Sequence, residues 1–277
     1  MKKLLLLVVA AALMLVPAAA EDGLEPWQVY EAGTFAEGDF DFDGKSEAVA
    51  LVTALDEWDD GTFTLTVGTS SVTVENCVAL NPSVFACAAG YTYYTYGTLF
   101  MVYEYGPSDD PITYCFLYTD GELSEIGTIP ALVENLEFKG RGMITTRVRA
   151  DMIGTWHREA DFVLATGSAF DGEEWSLVYR IVEARRTSYT MGMPVTLKVA
   201  LPVSASVYDM QVTATIPAGE KVVLASSDDV SRLYVTDYTG ENAGWVRIGR
   251  VDDMDSIMVG QVYMLVDDVF DDVFYAD

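Results

Sequence analysis

The stretch GDFDFDGKSEAVAL, Gly38 to Leu51, alternates carboxylates with phenylalanines and then becomes apolar. Asp39, Asp41 and Asp43 stand at positions one, three and five of a loop. A glycine follows at position six, where a residue without a Cβ permits a sharp left-handed turn. Three carboxylates this close repel one another unless a divalent cation lies among them. Hard oxygen donors at this spacing favour calcium, so the stretch predicts a calcium-binding loop.

The remaining residues of the loop decide which class of calcium-binding loop it belongs to. Lys45 at position seven offers its backbone carbonyl, and Glu47 at position nine adds a fourth carboxylate. An EF-hand or dockerin loop needs an acidic residue at position twelve and a helix beyond it. Position twelve is Ala50, and the chain continues as an apolar, strand-like run to Leu55. We therefore predict a loop that leads into a β-strand; a solvated acidic turn without metal is the alternative.

This DxDxDGxxE pattern resembles the integrin-type FG-GAP and VCBS calcium repeats, in which such a loop joins two strands of a propeller blade. The resemblance covers the loop and the start of the strand that follows. Phe42 departs from it, since many members have glycine there. The resemblance implies five calcium ligands, the lysine acting through its carbonyl: Asp39, Asp41, Asp43, Lys45 and Glu47.

The first residues of the chain, 1–20, have the features of a secretory signal peptide. Lys2 and Lys3 precede an apolar run from Leu4 to Val16, and small residues follow up to Ala20. That run is too short to cross a bilayer, and no later segment is long and apolar enough to do so. We expect a secreted or envelope-associated bacterial protein without a membrane span.

The charge balance limits the partners. The chain has 43 acidic and 16 basic side chains and a formal net charge of −27. Such a field repels nucleic acid, which we exclude as a partner. It suits a compartment rich in divalent cations, because bound calcium offsets part of the self-repulsion.

Three cysteines, Cys77, Cys87 and Cys115, are odd in number and cannot all pair within one chain. At most one internal disulfide is therefore expected. Cys77 with Cys87 is the shortest closure, and the apolar surroundings of Cys115 are typical of a buried free thiol. The sequence does not choose among the three pairings.

Residues 21–190 alternate apolar and polar side chains between turn signals. Thr62 to Val67 and Val72 to Val74 flank Gly68 and predict a hairpin, and Asp120-Gly121 predicts another turn. No window has a sustained helical period. We predict an all-β fold in which this region forms an antiparallel calcium-binding domain, either a partial propeller or a sandwich.

Residues 191–250 have a second pattern. Pro-x-Gly-x-x-Val stands in front of a strand, at Pro217, Gly219 and Val222, and Gly244-Trp245-Val246 stands near the end. These residues resemble the marks of bacterial SH3-like domains over about Val195 to Gly249, which implies a small barrel with a ligand-binding surface.

Two departures from that pattern fall where many members recognise wall peptides. The usual Leu-Asn-Val-Arg start reads Leu201-Pro-Val-Ser204, and Arg232-Leu233 lies near the place of a missing tryptophan. A tryptophan in the position of Trp245 is more often part of the hydrophobic core than of a ligand-binding face. The aromatic candidates for ligand binding are Tyr208, Tyr234, Tyr238 and Trp245.

Residues 251–277 form an acidic terminal segment. The apolar residues from Val266 to Phe274 recur at helical spacing, and aspartates occupy the other face. We predict a short amphipathic helix that docks on its own domain; a partner-binding helix is the alternative.

No catalytic constellation is evident. The single histidine, His157, has no serine or cysteine motif near it, and adjacent acids in turns rarely face each other across a cleft. We expect a non-enzymatic protein that binds peptidoglycan or another extracellular glycan or protein. The alternatives are a secreted glycan- or peptide-directed hydrolase and an accessory or inhibitor subunit.

Overall fold

The structure is a computed structural model, and the all-β prediction is confirmed. Within the described part of the chain, the helical elements are one 3-10 turn at Val133–Asn135 and one α-helix, α1, at Val266–Val269. The described residues are 27–31, 36–88, 97–107, 110–140, 142–150, 152–154, 156–170, 175–184, 188–206, 208 and 211–274. The expected signal peptide, residues 1–20, lies outside them.

The chain divides into two compact units. Unit 1 spans Met1–Thr146 and Asp161–Glu183, and unit 2 spans Arg147–Ala160 and Ala184–Asp277. The sequence patterns placed borders at residues 190 and 250 instead. No sequence pattern in the segment Arg147–Ala160 predicts that it belongs to unit 2, because its place in that unit depends on tertiary packing.

Unit 1 contains two antiparallel sheets with strand orders β2-β3-β4-β5 and β1-β6-β7-β8-β9. Successive strands are neighbours in both, apart from the added edge strand β1. The bounds are β1 Trp27–Glu31, β2 Ala36–Gly38, β3 Glu47–Leu55, β4 Gly61–Val67, β5 Ser70–Cys77, β6 Leu80–Ala88, β7 Thr98–Glu104, β8 Ile112–Thr119 and β9 Glu122–Ile129.

The core of unit 1 follows from the alternation of its strands. In β4, Phe63, Leu65 and Val67 are buried, while the intervening threonines are only partly buried. Every residue of β7 is buried, so this central strand is covered on both faces. Phe63 and Phe116, from the two sheets, meet edge to face with ring centroids 6.0 Å apart, which joins the sheets in one hydrophobic cluster.

A third sheet has the order β10-β11-β12-β13. Its bounds are β10 Glu137–Gly140, β11 Met143–Arg149, β12 His157–Phe170 and β13 Trp175–Glu183. Strands β11 and β12 carry the chain from unit 1 into unit 2 and back. The β12–β13 ribbon runs in unbroken register from Phe162↔Glu183 to Phe170↔Trp175.

Unit 2 is built on one large sheet with the order β16-β15-β19-β18-β17-β14-β22, and β20 and β21 extend it from β19. The bounds are β14 Tyr189–Leu197, β15 Leu201–Ser204, β16 Val212–Ile216, β17 Lys221–Ser227, β18 Arg232–Asp237, β19 Ala243–Val251, β20 Met254–Val259, β21 Val262–Leu265 and β22 Phe270–Asp271.

The segment Arg147–Ala160 is part of the core of unit 2. Ile153 is fully buried there together with Leu233 and Val246. Arg158 donates from Nε to Asp229 Oδ2 at 3.2 Å, and both side chains are almost completely buried. Asp229 Oδ1 accepts a second hydrogen bond, from the backbone N–H of Met152 at 3.0 Å. The buried aspartate therefore fastens the segment into the unit.

The prediction of a terminal helix through Phe274 is wrong beyond its first turn. Helix α1 ends at Val269, and Phe270 then pairs with Leu197 as strand β22. The Lys198 ammonium holds the segment by donating to the Asp267 carbonyl at 2.7 Å. Strand pairing with β14 buries Phe270 to 1% exposure, which an exposed helix would not achieve. The acidic segment docks on its own unit.

All three cysteines are free and buried. Burial raises the pKa of Cys115 to about 12 and that of Cys77 to about 11. The burial expected for Cys115 is confirmed, and no disulfide joins these residues.

Candidate metal centre and aromatic face

The acidic loop connects β2 to β3, and the pair Gly38↔Glu47 closes it. One carboxylate oxygen from each of Asp39, Asp41 and Asp43 lies within 4.8 Å of the other two. The structure therefore brings together three of the residues that the sequence proposes as ligands.

Backbone hydrogen bonds wrap the loop around these carboxylates. Asp39 Oδ2 accepts from the N–H of Gly44 at 3.0 Å, and Asp43 Oδ1 accepts from the N–H of Lys45 at 2.7 Å. Gly44 has φ +87°, the left-handed turn expected at position six. Phe42 also has a positive φ, 64°, a backbone conformation that favours glycine over a residue with a Cβ.

One oxygen of the loop lacks a partner. Asp39 Oδ1 is buried and has no hydrogen-bond partner. Leaving a buried carboxylate oxygen unsatisfied costs free energy, and a hard cation among the carboxylates would relieve that cost. The donor set, which consists of carboxylate oxygens, therefore fits calcium.

Lys45 and Glu47 behave differently from the three aspartates. The Lys45 ammonium donates to Asp43 Oδ2 at 2.5 Å, which lowers the pKa of Asp43 and raises that of Lys45. Glu47 Oε2 accepts from the backbone N–H of Phe40 at 2.9 Å, and Glu47 is not among the three clustered carboxylates. Burial, then the nearby aspartates, raises the pKa of Glu47.

The loop also contacts the β8–β9 turn, a relationship with no local sequence signal. Asp41 Oδ2 accepts from the backbone N–H of Gly121 at 2.8 Å. Close by, Thr98 Oγ1 donates to the carbonyl of Phe40 at 2.7 Å. Burial raises the pKa of Tyr118 to about 12, with added effects of Glu47 and the aspartates of the loop. The candidate metal centre thus lies where the sheet of β2–β5 meets the sheet of β1 and β6–β9.

In unit 2 the structure brings three of the four aromatic candidates to one region. Tyr234 and Trp245 are cross-strand partners on β18 and β19, with ring centroids 5.0 Å apart at 62°. The Arg232 guanidinium lies 5.2 Å from the centroid of Tyr208, close enough for a cation–π interaction. Tyr238 is 63% exposed in the β18–β19 turn, and no ring contact joins it to the other three.

Sequence reasoning missed two arginines in this region. Arg232 lies directly opposite Arg247 in the β18–β19 register. The register is needed to see the pair, because the residues are separated along the chain by a strand and a turn. We call Arg232, Tyr234, Trp245 and Arg247 the aromatic–arginine face.

A buried polar cluster in unit 1 has a structural role. Glu104 is 3% exposed, and its Oε2 accepts from the Tyr114 hydroxyl and the Val78 N–H, both at 3.0 Å. Cys77 lies beside it with a raised pKa, so its thiol is protonated and a poor nucleophile. These groups hold the β5–β6 turn.

The comparisons do not place the chain in a family. No family model, curated protein or solved structure matches it. Among its described residues, no helix has the length and apolar character needed to cross a membrane.

Proposed function

We propose that this protein is a secreted, non-enzymatic bacterial binding protein that acts outside the cell or in its envelope. Unit 1 is stabilised by calcium in the acidic loop, and unit 2 binds a glycan ligand of the cell wall. The observation that carries the proposal is the pairing of the half-buried rings of Tyr234 and Trp245 beside Arg232 and Tyr208. Tryptophan, tyrosine and arginine dominate the energetics of known binding surfaces.

Calcium has a structural role in this proposal. The ion would be held by Asp39, Asp41 and Asp43, with the loop backbone near Lys45 and the carboxylate of Glu47 completing the set implied by the resemblance to FG-GAP and VCBS repeats. Calcium supplies positive charge to a crowded acidic loop. Its binding stabilises the folded state by about 2.7 kcal/mol at a hundredfold excess over the dissociation constant.

The binding role is tested by sedimentation of the full chain with purified peptidoglycan. Tyr234→Ala removes one ring of the pair and should weaken binding about tenfold. The matched control is Trp58→Ala, because Trp58 is 72% exposed in a turn of unit 1 and pairs with no aromatic ring among the described residues. A melting curve for each variant establishes that the fold is retained.

Three results bear on the proposal. Sedimentation that depends on Tyr234 but not on Trp58 supports it. Sedimentation unchanged by Tyr234→Ala, or absent in the wild type, overturns the binding role. Turnover of the peptidoglycan by the pure protein overturns the non-enzymatic part and favours the hydrolase alternative.

A further inference from the structure

The aromatic–arginine face contains two consecutive cross-strand pairs of unlike character. Tyr234 lies opposite Trp245. Arg232 lies opposite Arg247, and each arginine is two residues away from the aromatic residue on its own strand. Partners in an antiparallel register project from the same face of the sheet. The four side chains therefore form a square in which an aromatic pair adjoins a cationic pair, while the alternate residues of both strands are buried in the core.

The cationic pair is unfavourable for the fold alone. Like charges directly opposite each other destabilise an antiparallel sheet. The chain has only 16 basic side chains against 43 acidic ones, so a carboxylate opposite either arginine would be the common outcome. A local arrangement that opposes folding is typical of a functional site.

The described neighbours relieve this repulsion only in part. Asp228 Oδ2 approaches Arg232 Nε only to 3.8 Å, and the same oxygen accepts a hydrogen bond from the Ser231 hydroxyl at 3.1 Å. Arg247 is exposed and forms no ion pair with any described residue. The positive charge that this cross-strand pair places on one face is therefore only partly neutralised by the described residues.

We propose that this square binds an acidic saccharide, with the sugar ring against Tyr234 and Trp245 and its carboxylate between Arg232 and Arg247. The inference rests on the proposed function and adds the chemical class of the ligand. A guanidinium group matches a planar carboxylate with two parallel hydrogen bonds. The aromatic rings offer apolar surface to the C–H face of a sugar.

The position of the square favours a saccharide over a peptide. Strand β18 is paired on both sides, with β17 and with β19, so its backbone groups are already used. An extended peptide gains most from an open sheet edge, where its own backbone can pair. A sugar needs only side chains and ring faces, which are what this surface presents.

The experiment is calorimetric titration of the full chain with three probes of similar length. Hyaluronan oligosaccharide carries a carboxylate on every second ring, chito-oligosaccharide has related N-acetylated rings without carboxylates, and poly-glutamate carries carboxylates on a peptide. We expect binding of hyaluronan at least tenfold tighter than of either other probe. Added sodium chloride should weaken it, because exposed charge pairs are screened.

Two arginine variants provide the matched comparison. Arg247→Gln should weaken hyaluronan binding about tenfold. Arg250→Gln is the control, because Arg250 lies on the same strand but projects from its other face and pairs with Asp255 at 3.1 Å. Arg247→Gln should also melt no lower than the wild type, since it removes a repulsion. A purely structural role for Arg247 predicts the opposite change in melting temperature.

The outcomes separate this inference from the proposed function. Equal binding of chito-oligosaccharide and hyaluronan overturns the role of the arginines while leaving a glycan-binding protein. Preference for poly-glutamate overturns the saccharide class. Absence of hyaluronan binding, with peptidoglycan sedimentation still dependent on Tyr234, overturns the inference alone.

Discussion

The Asp41 carboxylate accepts a hydrogen bond from the backbone N–H of Gly121 at 2.8 Å, across 80 residues of sequence. The same aspartate contributes an oxygen to the candidate metal centre. This carboxylate therefore connects the acidic loop with the β8–β9 turn, and an ion held in the loop would also restrain that turn.

This connection predicts a calcium-dependent change far from the loop in sequence. Calcium should slow hydrogen exchange of the Gly121 amide, because the bound ion fixes the carboxylate that accepts its hydrogen bond. Asp41→Ala should abolish the calcium effect, so that the Gly121 amide exchanges fast both with and without calcium. The turn amide of Gly240, in unit 2, serves as the internal control. Exchange at Gly121 that is indifferent to calcium would contradict the connection.

Phe42 carries a conformational cost that a glycine would remove. Its φ of 64° is unfavourable for a residue with a Cβ, by roughly 1–2 kcal/mol. Its side chain is 44% exposed, so its removal loses little packing. After the greater chain entropy of glycine is subtracted, Phe42→Gly should stabilise unit 1 by up to about 1 kcal/mol. Urea denaturation measures the change; a clear loss of stability would show that the phenyl ring packs usefully.

Lys45 competes with a cation for Asp43. Its ammonium lies 2.5 Å from Asp43 Oδ2, and this exposed contact must open or rearrange when a metal ion takes the oxygen. Lys45→Met keeps the backbone carbonyl and removes the charge, so calcium affinity should rise about two- to fivefold. Lys139→Met, which breaks the exposed pair with Glu137, is the control and should leave the affinity unchanged. Weaker calcium binding by the Lys45 variant would count against this competition.

The buried pair of Asp229 and Arg158 should be the most sensitive polar contact of unit 2. Asp229→Asn removes a buried negative charge from beside the buried guanidinium and should cost about 3–5 kcal/mol. Asparagine tolerates the left-handed conformation of this residue, φ 56°, so the change tests charge rather than backbone strain. Asp252→Asn is the control, because Asp252 is exposed at a similar φ of 51°. Equal stability of the two variants would overturn this assignment.

The β18–β19 turn should depend on pH through Asp237. Although burial opposes ionisation, hydrogen bonds from Thr239 and Asn242 lower the pKa of Asp237 to about 2. A carboxyl with a depressed folded-state pKa stabilises the fold above its unfolded pKa of about 4, and that contribution is lost as the pH falls through about 2. Asp237→Asn should remove this part of the acid sensitivity. An NMR titration of the Asp237 carboxyl that gives an ordinary pKa would contradict it.

Local patterns predicted those parts of the structure whose causes are local. The alternation around Phe63 gave a buried strand face, and Gly44 gave the left-handed turn of the acidic loop. The terminal segment shows the limit of such patterns. Its helical period is real through Val269, but pairing of Phe270 with Leu197 on β14 replaces the helix, because a strand partner distant in sequence offers better burial.

The candidate sites divide in the same way. The three clustered aspartates lie within one loop, so their spacing alone brings them together. The Gly121 contact and the Arg232–Arg247 pair depend on sheet register between separate strands. Neither contact can be predicted from a local sequence pattern, since tertiary structure determines which residues become neighbours.

The most direct test of the account is a paired measurement of calcium binding and melting temperature on the full chain. We predict one bound calcium per chain by calorimetry and a melting temperature that is higher in millimolar calcium than in EDTA. Asp39→Asn should abolish both effects, while Glu75→Gln, at an exposed acid on β5, should preserve them. No heat of binding, together with the same melting temperature in calcium and EDTA, would contradict the claim that the acidic loop is a metal centre.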